Sequence, residues 1–534
     1  MNDSCCRRFV RPGHRRTGAE RSLLLTGVLV AMTPLAHAQR PAPLPKSETG
    51  SALDLRYHDA TLADLARDAQ QLGGIAITVP AELKSDVLKR DARASSWADG
   101  LADLLGDYNY IAVRSPAGRL ERIVIQARQK PNKRPQAAAK QPPGTGAALF
   151  EVDASALNKP VPKALASLNP HAITPIKLSV ERLASMKPGD TLSVRLGDRA
   201  YKLVHDHAQR HDTGDTSWIA YVEQDGSAFR AVLTYRADGA LTGQINTARG
   251  LFQIIQFDEK TWVVDIKASG LGAGSLDEDQ RSFPTGGGKA TAAVADGQPA
   301  TAQSHATVDL MVLYTHEAGP QPVMRASHLT AVTQQAFTDS GAFVELRLVR
   351  TERVDYTDNN PNFTALQDLT RNRIGADVNA LRSRYGADMV VLLRPFHSSA
   401  QGSCGVSWIG GANGLPLTPA AGFAVVSDGF DDRYFCHEYT FAHELGHAFG
   451  NVHDADLSPP GIFPFSYAWA VPGKFATIMS YLFDVAPLVG KFANPAVACT
   501  DKGLPCGRKD IADNARTINL TAPIVAGFMP TAAD

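Results

Sequence analysis

The chain has 534 residues, with 54 basic and 54 acidic side chains and 44% hydrophobic residues. A chain of this length is expected to form about three or four domains. Its net charge is zero, so the composition does not indicate nucleic acid or an anionic membrane as a partner, and we expect no nucleic-acid partner.

Residues 1–38 have the pattern of a secretory signal peptide. Arginines from Arg7 to Arg21 form a basic region, the apolar run Leu23–Met32 is too short to span a bilayer, and Ala36-His37-Ala38 fits an A-x-A cleavage site. A short membrane anchor is the alternative interpretation. We expect a secreted protein, or one held at the periplasm and outer membrane before release, without an integral membrane segment once the signal is removed.

A small α+β domain of βαβ type is predicted over residues 51–128, after a proline-rich spacer at 39–50. The stretches T-L-A-D-L-A-R-D-A-Q-Q-L-G-G-I-A-I-T-V-P and W-A-D-G-L-A-D-L-L resemble the short N-terminal domain of secretins and TonB-dependent receptors. That resemblance implies an interaction module with a partner at the cell envelope. A folded spacer without a partner is the alternative.

A basic linker rich in proline and alanine, residues 129–147, leads to residues 148–268, where short alternating runs and turn signals predict a mostly β domain. From its place before the C-terminal part of the chain, this region resembles a propeptide. Residues 269–305 are rich in small residues and predict a flexible linker exposed to cleavage. A histidine cluster in the β domain can either cap a metal site or lie in a solvated polar loop: His205, His207 and His211.

Residues 306–534 alternate predicted strands and helices, which indicates a mainly parallel sheet. The predicted strands are 308–314, 343–349, 387–393 and 422–427. The predicted helices are 322–340, 364–385, 435–449 and 513–528.

The segment H-E-L-G-H-A-F-G-N-V-H-D carries the chemistry. His443 and His447 lie one turn apart on the same face of the predicted helix, and Gly450 ends the helix so that His453 can return to the same point. Three imidazoles with one open position are typical of a catalytic Zn²⁺ site holding one ion. Glu444 lies near the ion without binding it, which is the position of a general base.

These residues resemble the metzincin signature, and the final Asp454 resembles the reprolysin/adamalysin-like branch (M12-type). The run Thr477–Tyr481 resembles the Met-turn, which implies that Met479 lies beneath the metal as a structural residue. Asp454 is then expected to hold the residues around the metal ligands in place without binding the metal, or to cap the turn after the helix. The resemblance also implies that strand 422–427 is an antiparallel edge that pairs with an extended substrate.

Tyr481 stands two residues after Met479, as in the astacin and serralysin branches, where such a tyrosine reaches the zinc or stabilises the oxyanion. Adamalysin-like enzymes generally lack it. Packing in the core is the alternative role for Tyr481.

Four cysteines follow the signal peptide, and an even number in an exported protein predicts disulfides. We favour Cys404–Cys436 and Cys499–Cys506. Cysteine as a metal ligand is disfavoured because no C-x-x-C spacing occurs. Residues 148–268 contain no cysteine, which excludes a cysteine switch onto the zinc from this region.

The sequence therefore predicts a secreted zinc metalloendopeptidase that acts on polypeptides and is made as a precursor. The expected fold is multidomain: an α/β metzincin-like domain with a mixed, mainly parallel sheet and a long active-site helix follows the α+β and β domains. An envelope interaction protein with a degenerate zinc domain is one alternative, and a zinc hydrolase acting on a non-peptide bond is another.

Overall fold

The computed structural model describes most of the chain after residue 52. The described residues are 53–80, 83–94, 96–105, 108–114, 120–128, 147–157, 159–257, 260–274, 280–282, 305–316, 321–481, 486–500 and 502–532. The predicted signal peptide, the proline-rich spacer and most of both linkers lie outside them. No helix among the described residues combines the length and hydrophobicity that crossing a membrane requires.

The N-terminal module has a three-stranded sheet, a two-stranded sheet and two helices. Thr61 begins the first helix through a capping box with Asp64, because each side chain binds the other residue's backbone amide. Leu62, Leu65 and Leu101 fill the core between helices and strands. The elements are β1 Leu53–Leu55, α1 Leu62–Asp68 with a π-helical extension Ala69–Gly73, β2 Ala76–Thr78, β3 Ala92–Ala94, α2 Trp97–Leu104, β4 Tyr108–Arg114 and β5 Leu120–Arg128.

The second domain is a sheet of ten strands. Neighbouring strands are antiparallel, except for a short parallel pairing between β6 and β9. Its strand order is β6-β9-β10-β11-β12-β13-β14-β15-β8-β7. Only Leu149 separates β6 from β7, so one segment lies at both ends of the order and the sheet forms a barrel. The elements are β6 Ala147–Ala148, β7 Phe150–Val152, β8 Ile173–Leu178, α3 Val180–Ser185, β9 Thr191–Leu196, β10 Arg199–Arg210, β11 Thr216–Val222, β12 Gly226–Tyr235, β13 Leu241–Thr247, β14 Gly250–Phe257, β15 Lys260–Asp265 and α4 Ile266–Ser269.

The histidine cluster does not form a solvated loop, and this expectation is wrong for two of its members. His205 and His207 lie in β10, and the buried His205 ring stacks on Trp218 at 5.2 Å between ring centroids. His211 follows the strand, and its Nε2 lies 2.8 Å from Ser217 Oγ. Burial lowers the pKa of His211 to about 4. The register shift between His205 and His207 leaves His205 buried and His207 exposed.

The C-terminal domain is built on a six-stranded sheet of order β17-β21-β22-β20-β18-β19, in which β21 is antiparallel to β22. Strands β19, β18, β20 and β22 are mutually parallel. The elements are β16 Gly272–Ala273, β17 Gln280–Ser282, β18 Ala306–Tyr314, α5 Pro322–Ser340, β19 Val344–Arg353, α6 Asn362–Thr370, α7 Val378–Tyr385, β20 Met389–Pro395, α8 Ser398–Gln401, β21 Gly405–Ile409, β22 Phe423–Asp428, β23 Tyr434–Phe435, α9 Thr440–Ala448, β24 Ala470–Val471, β25 Phe475–Ala476 and α10 Asn514–Val525.

Three sequence expectations for this domain need correction. The helix predicted over 364–385 is two helices, because Asn372 and Gly375 have positive φ between α6 and α7. Strand β22, predicted as the antiparallel edge, is an inner parallel strand, and β21 is the antiparallel strand. The active-site helix is shorter than predicted and begins at Thr440, because Phe435 pairs with the chain at Ala273 instead.

Helix α5 lies between the barrel and the sheet of the C-terminal domain. Ile219 and Val232 of the barrel belong to the same apolar core as Leu329 of α5 and Phe441 of α9. The two units therefore share buried surface close to the active-site helix.

Candidate active site

Helix α9 and the turn after it bring the three candidate metal-binding histidines together. His443, His447 and His453 are at most 1% exposed. Gly450 follows the helix with φ of 95°, and a Cβ there would lie 2.5 Å from Ile462 Cγ2. Only glycine accommodates this turn without strain, and the turn returns the chain so that His453 faces the helix.

The three imidazoles present their Nε2 atoms to one point. The Nε2–Nε2 distances are 3.1 Å between His443 and His453, 3.2 Å between His447 and His443, and 3.0 Å between His453 and His447. Nδ1 of His443 lies 2.7 Å from the carbonyl oxygen of Ile478, and Nδ1 of His447 lies 2.9 Å from that of Asn451. Donation from Nδ1 to these carbonyls leaves each Nε2 lone pair for a metal, so the donor set fits a zinc ion.

Glu444 is fully buried beside the histidines and is held from strand β21. Ser407 Oγ lies 2.9 Å from Glu444 Oε2 and 2.9 Å from the Glu444 carbonyl oxygen, so its single proton is shared between these two acceptors. A Cβ on Gly405 would overlap the same carboxylate, so glycine leaves the space that the Glu444 side chain occupies. Sequence reasoning missed both β21 residues, because neither carries a motif and only the fold brings them to Glu444.

The Met-turn residues pack under and beside the histidines. Met479 is fully buried, and its Sδ would lie 2.5 Å from a Cβ on Gly446, so the glycine in the helix admits the methionine. The Asp454 carboxylate accepts hydrogen bonds from Ser480 Oγ at 3.1 Å and from the Tyr481 amide at 3.0 Å. Burial raises the pKa of Asp454. Asp454 thus ties the end of the zinc motif to the Met-turn.

The Tyr481 ring lies against the His453 ring, with 3.7 Å between centroids. Its side chain is partly exposed. The ring therefore borders the metal-binding histidines.

Both expected disulfides are present. Cys404–Cys436, with 5.4 Å between Cα atoms, joins the residue before β21 to the segment before α9. Cys499–Cys506 closes a short loop before α10.

A narrow cavity opens beside His443, on the side where α9 begins. Its lining residues come from α9 and the segment before it, the residue before β21, the Met-turn and the chain beyond it, and the chain after the barrel: Ala273, Gly274, Cys404, Phe435, His437, Tyr439, Thr440, His443, Ile478 and Leu488. Ala273 pairs in parallel with Phe435, and the Gly274 amide donates to the Phe435 carbonyl at 2.7 Å. The chain that follows the barrel therefore lies over this cavity.

Strand β17 adds to the outer edge of β21 in parallel, with Gln280 opposite Ser407 and Ser282 opposite Ile409. The backbone of β21 next to Glu444 is therefore paired with β17, which belongs to the segment between the barrel and β18, called the interdomain segment below.

The family that matches the C-terminal part of the chain is one of metallopeptidases, in agreement with the H-E-L-G-H segment. Residues 304–512 match the model of the reprolysin-like metallopeptidases of family M12B. Residues 304–512 are a reprolysin-like metallopeptidase domain. Residues 148–269, the barrel, match a BamI lipocalin-like domain.

Two curated relatives carry the name peptidyl-Asp metalloendopeptidase. The protein of Pseudomonas aeruginosa is 33% identical over 251 residues, which are 42% of this chain and 41% of the relative. The protein of Xanthomonas campestris pv. campestris is 30% identical over 249 residues, 44% of this chain and 55% of the relative. The chain thus spans about half the length of these relatives. A solved structure, metalloproteinase-II from Bacteroides fragilis, has a TM-score of 0.34 and 14% identity, covering 56% of this chain and 87% of that one.

Proposed function

We propose that the protein is a secreted zinc metalloendopeptidase, made as a precursor, in which Glu444 acts as general base. The observation that carries the proposal is the convergence of the His443, His447 and His453 Nε2 atoms within 3.2 Å of one another, beside a buried glutamate. This arrangement matches catalytic zinc sites with three protein ligands and one open position.

When bound, the zinc lowers the pKa of its water to about 7 and polarises the scissile carbonyl. Glu444 accepts the proton of the attacking water and delivers it to the leaving amine. Ser407 holds one oxygen of the Glu444 carboxylate, which fixes the direction from which the proton is taken. Tyr481, whose ring lies against the His453 ring, donates a hydrogen bond from its hydroxyl to the oxyanion in this proposal.

The names of the relatives support a preference for aspartyl peptides. Both are peptidyl-Asp metalloendopeptidases. We therefore propose that polypeptides containing aspartate are the substrates of this chain.

The position of the interdomain segment supports the proposal that the protein is made as a precursor. Strands β16 and β17 lie on the cavity wall and on β21, where an extended substrate would add to the sheet. Cleavage after β17, within the linker predicted over 269–305, would allow this segment to leave with the barrel. The N-terminal module would then act at the envelope before release.

The test is hydrolysis of casein and of aspartate-containing peptides by protein purified after expression of the full chain. We expect activity that a chelator abolishes and Zn²⁺ restores. Glu444→Gln should lower kcat by roughly 10²–10⁴-fold, the usual size of general acid–base catalysis, while zinc is still bound. Glu345→Gln, an exposed glutamate in the same domain, is the matched control.

Activity that survives complete zinc removal, or is unchanged in Glu444→Gln, would refute the mechanism. An absence of hydrolysis after cleavage of the linker, across broad peptide libraries, would favour the envelope interaction protein. Detection of the protein only in the cytoplasmic fraction would refute secretion.

A further inference from the structure

The imidazole of His447 is oriented by the turn that follows α9. Its Nδ1 lies 2.9 Å from the carbonyl oxygen of Asn451, and donation to this oxygen leaves Nε2 for a metal. That carbonyl belongs to the peptide group between Asn451 and Val452, and the next residue of the same turn is His453. The direction of this one peptide group therefore affects two of the three candidate metal ligands.

The peptide group between Asn451 and Val452 is held at both ends. A peptide group is planar, so its N–H and its C=O cannot turn independently of each other. Its N–H, at Val452, donates to the carbonyl oxygen of Ser466 at 2.9 Å, and its C=O faces His447. The backbone amide of Asn451 donates to the Gly446 carbonyl oxygen in α9 at 3.1 Å, so the turn is also anchored to the helix.

Asn514, the first residue of α10, connects these two sides of the turn. Its side chain is fully buried, and its Nδ2 donates to the side-chain oxygen of Asn451 at 3.0 Å and to the carbonyl oxygen of Ser466 at 2.9 Å. Its Oδ1 accepts a hydrogen bond from the Ala493 amide at 3.3 Å. An asparagine side chain has two N–H donors, and both are directed at residues that hold the peptide group facing His447.

Helix α10 does not need the Asn514 side chain for its own start. Asp513 caps the helix, because its side chain accepts a hydrogen bond from the Arg516 amide at 3.0 Å. The three hydrogen bonds of the Asn514 side chain given above all leave the helix, to residues 63, 48 and 21 positions earlier in the chain. What Asn514 holds is therefore the turn between two candidate metal ligands.

We propose that Asn514 is a positioning residue of the metal site: by holding the turn after α9, it aims the carbonyl oxygen of Asn451 at His447. The hydrogen bond at the second ring nitrogen of a metal-binding histidine fixes both the tautomer and the direction of the ring. Loss of the Asn514 amide group frees the turn and with it this hydrogen bond. The inference rests on the proposed function, of which it uses only the binding of zinc.

The experiment measures the affinity of the metal-free full chain for Zn²⁺, by competition with a chelator of known affinity. It also records the visible absorption of bound Co²⁺, which depends on the geometry of the ligands. We expect Asn514→Ala to bind Zn²⁺ about 10-fold more weakly than wild type, the lower end of the range for residues that orient metal ligands, because the effect passes through Asn451. The Co²⁺ absorption should change as well, since His447 is then less well oriented.

Asn519 provides a matched control on the same helix. Its Nδ2 donates to the Gly341 carbonyl oxygen at 3.0 Å, and its Oδ1 accepts a hydrogen bond from the Phe343 amide at 2.6 Å. It thus also ties α10 to another segment, the connection between α5 and β19, which carries none of the candidate metal ligands. Asn519→Ala should lower the melting temperature of the metal-free protein and keep the Zn²⁺ affinity and the Co²⁺ absorption of wild type.

A second variant, Asn514→Asp, keeps the size of the side chain and the acceptor for the Ala493 amide but loses both donated hydrogen bonds. It should also weaken Zn²⁺ binding, and it carries the test if Asn514→Ala does not fold. The melting temperature and circular dichroism of the metal-free protein show whether each variant is folded. Unfolding of both variants would overturn the inference, because Asn514 would then serve the stability of the domain.

A folded Asn514 variant with the Zn²⁺ affinity and the Co²⁺ absorption of wild type would likewise overturn the inference. So would an equal loss of Zn²⁺ affinity in Asn519→Ala, because the effect would then follow from lower stability alone. If wild type binds Zn²⁺ but cleaves no peptide, the proposed function fails, and the Zn²⁺ affinities of the variants still decide this inference. If wild type binds no Zn²⁺, both fail.

Discussion

At the scale of single residues, the position of Glu444, the proposed general base, depends on two small residues of β21. Ser407 donates a hydrogen bond to Glu444, and Gly405 leaves room for the same carboxylate. A carboxylate with one oxygen held in this way loses less rotational freedom when it accepts a proton, since its position is set before the substrate arrives.

Replacing Ser407 by alanine should therefore slow the chemical step. We expect Ser407→Ala to lower kcat about 10-fold with little change in KM, because one hydrogen bond of about 1 kcal/mol or slightly more is lost from the catalytic group. Ser407→Thr keeps the hydroxyl and should restore most of the rate. Steady-state kinetics check this, with the exposed Ser399→Ala as control. A rise in KM at constant kcat would contradict a positioning role.

The sequence could predict that the three candidate metal ligands converge because they lie within one short segment, where helical spacing and a single glycine determine the geometry. It could not reveal Ser407, which is 37 residues from Glu444. Serine within an apolar strand is common, and its contact with Glu444 arises only when β21 is antiparallel to β22 next to α9.

At the scale of elements, the Cys404–Cys436 disulfide ties β21 to the segment that precedes α9. The order of strands in this sheet was not predictable, because β21 and β22 are both short apolar runs and the choice of the edge depends on contacts distant in sequence.

The two disulfides should differ in their contribution to stability. Cys404 and Cys436 are 32 residues apart and Cys499 and Cys506 are 7 apart. By chain entropy the first contributes about 3–4 kcal/mol to the free energy of unfolding and the second about 2–3 kcal/mol. Denaturant unfolding of the two double alanine variants measures the order, and a larger loss from the Cys499–Cys506 pair would contradict it.

At the scale of the whole molecule, the barrel and the peptidase domain meet in a buried polar network. Arg230 of the barrel binds Asp339 through two hydrogen bonds of 2.8 and 2.5 Å. Thr234 Oγ1 lies 3.0 Å from His328 Nδ1, and the other ring nitrogen of His328 lies 2.9 Å from Glu438. The network thus runs from the barrel to the residue next to His437.

Acid should weaken this molecule through Glu438. Although burial raises its pKa, the charges of His328 and Arg325 lower it from 4.5 to about 2. A carboxyl with a depressed folded pKa contributes stability above pH 4.5, and this contribution is lost as the pH falls toward 2. The amount is on the order of 3 kcal/mol. Melting temperatures between pH 2 and 7 should fall less steeply in Glu438→Gln than in wild type, and parallel curves would refute the assignment.

The Arg230–Asp339 and Thr234–His328 contacts also have an evolutionary consequence. Each pair has one member in the barrel and one on α5 of the peptidase domain. In lineages that keep both domains, a change at one member selects for a compensating change at the other. A peptidase domain that has lost the barrel is free of that selection, so Asp339 and His328 should be replaced by ordinary surface residues there, while the proposed zinc ligands should not change.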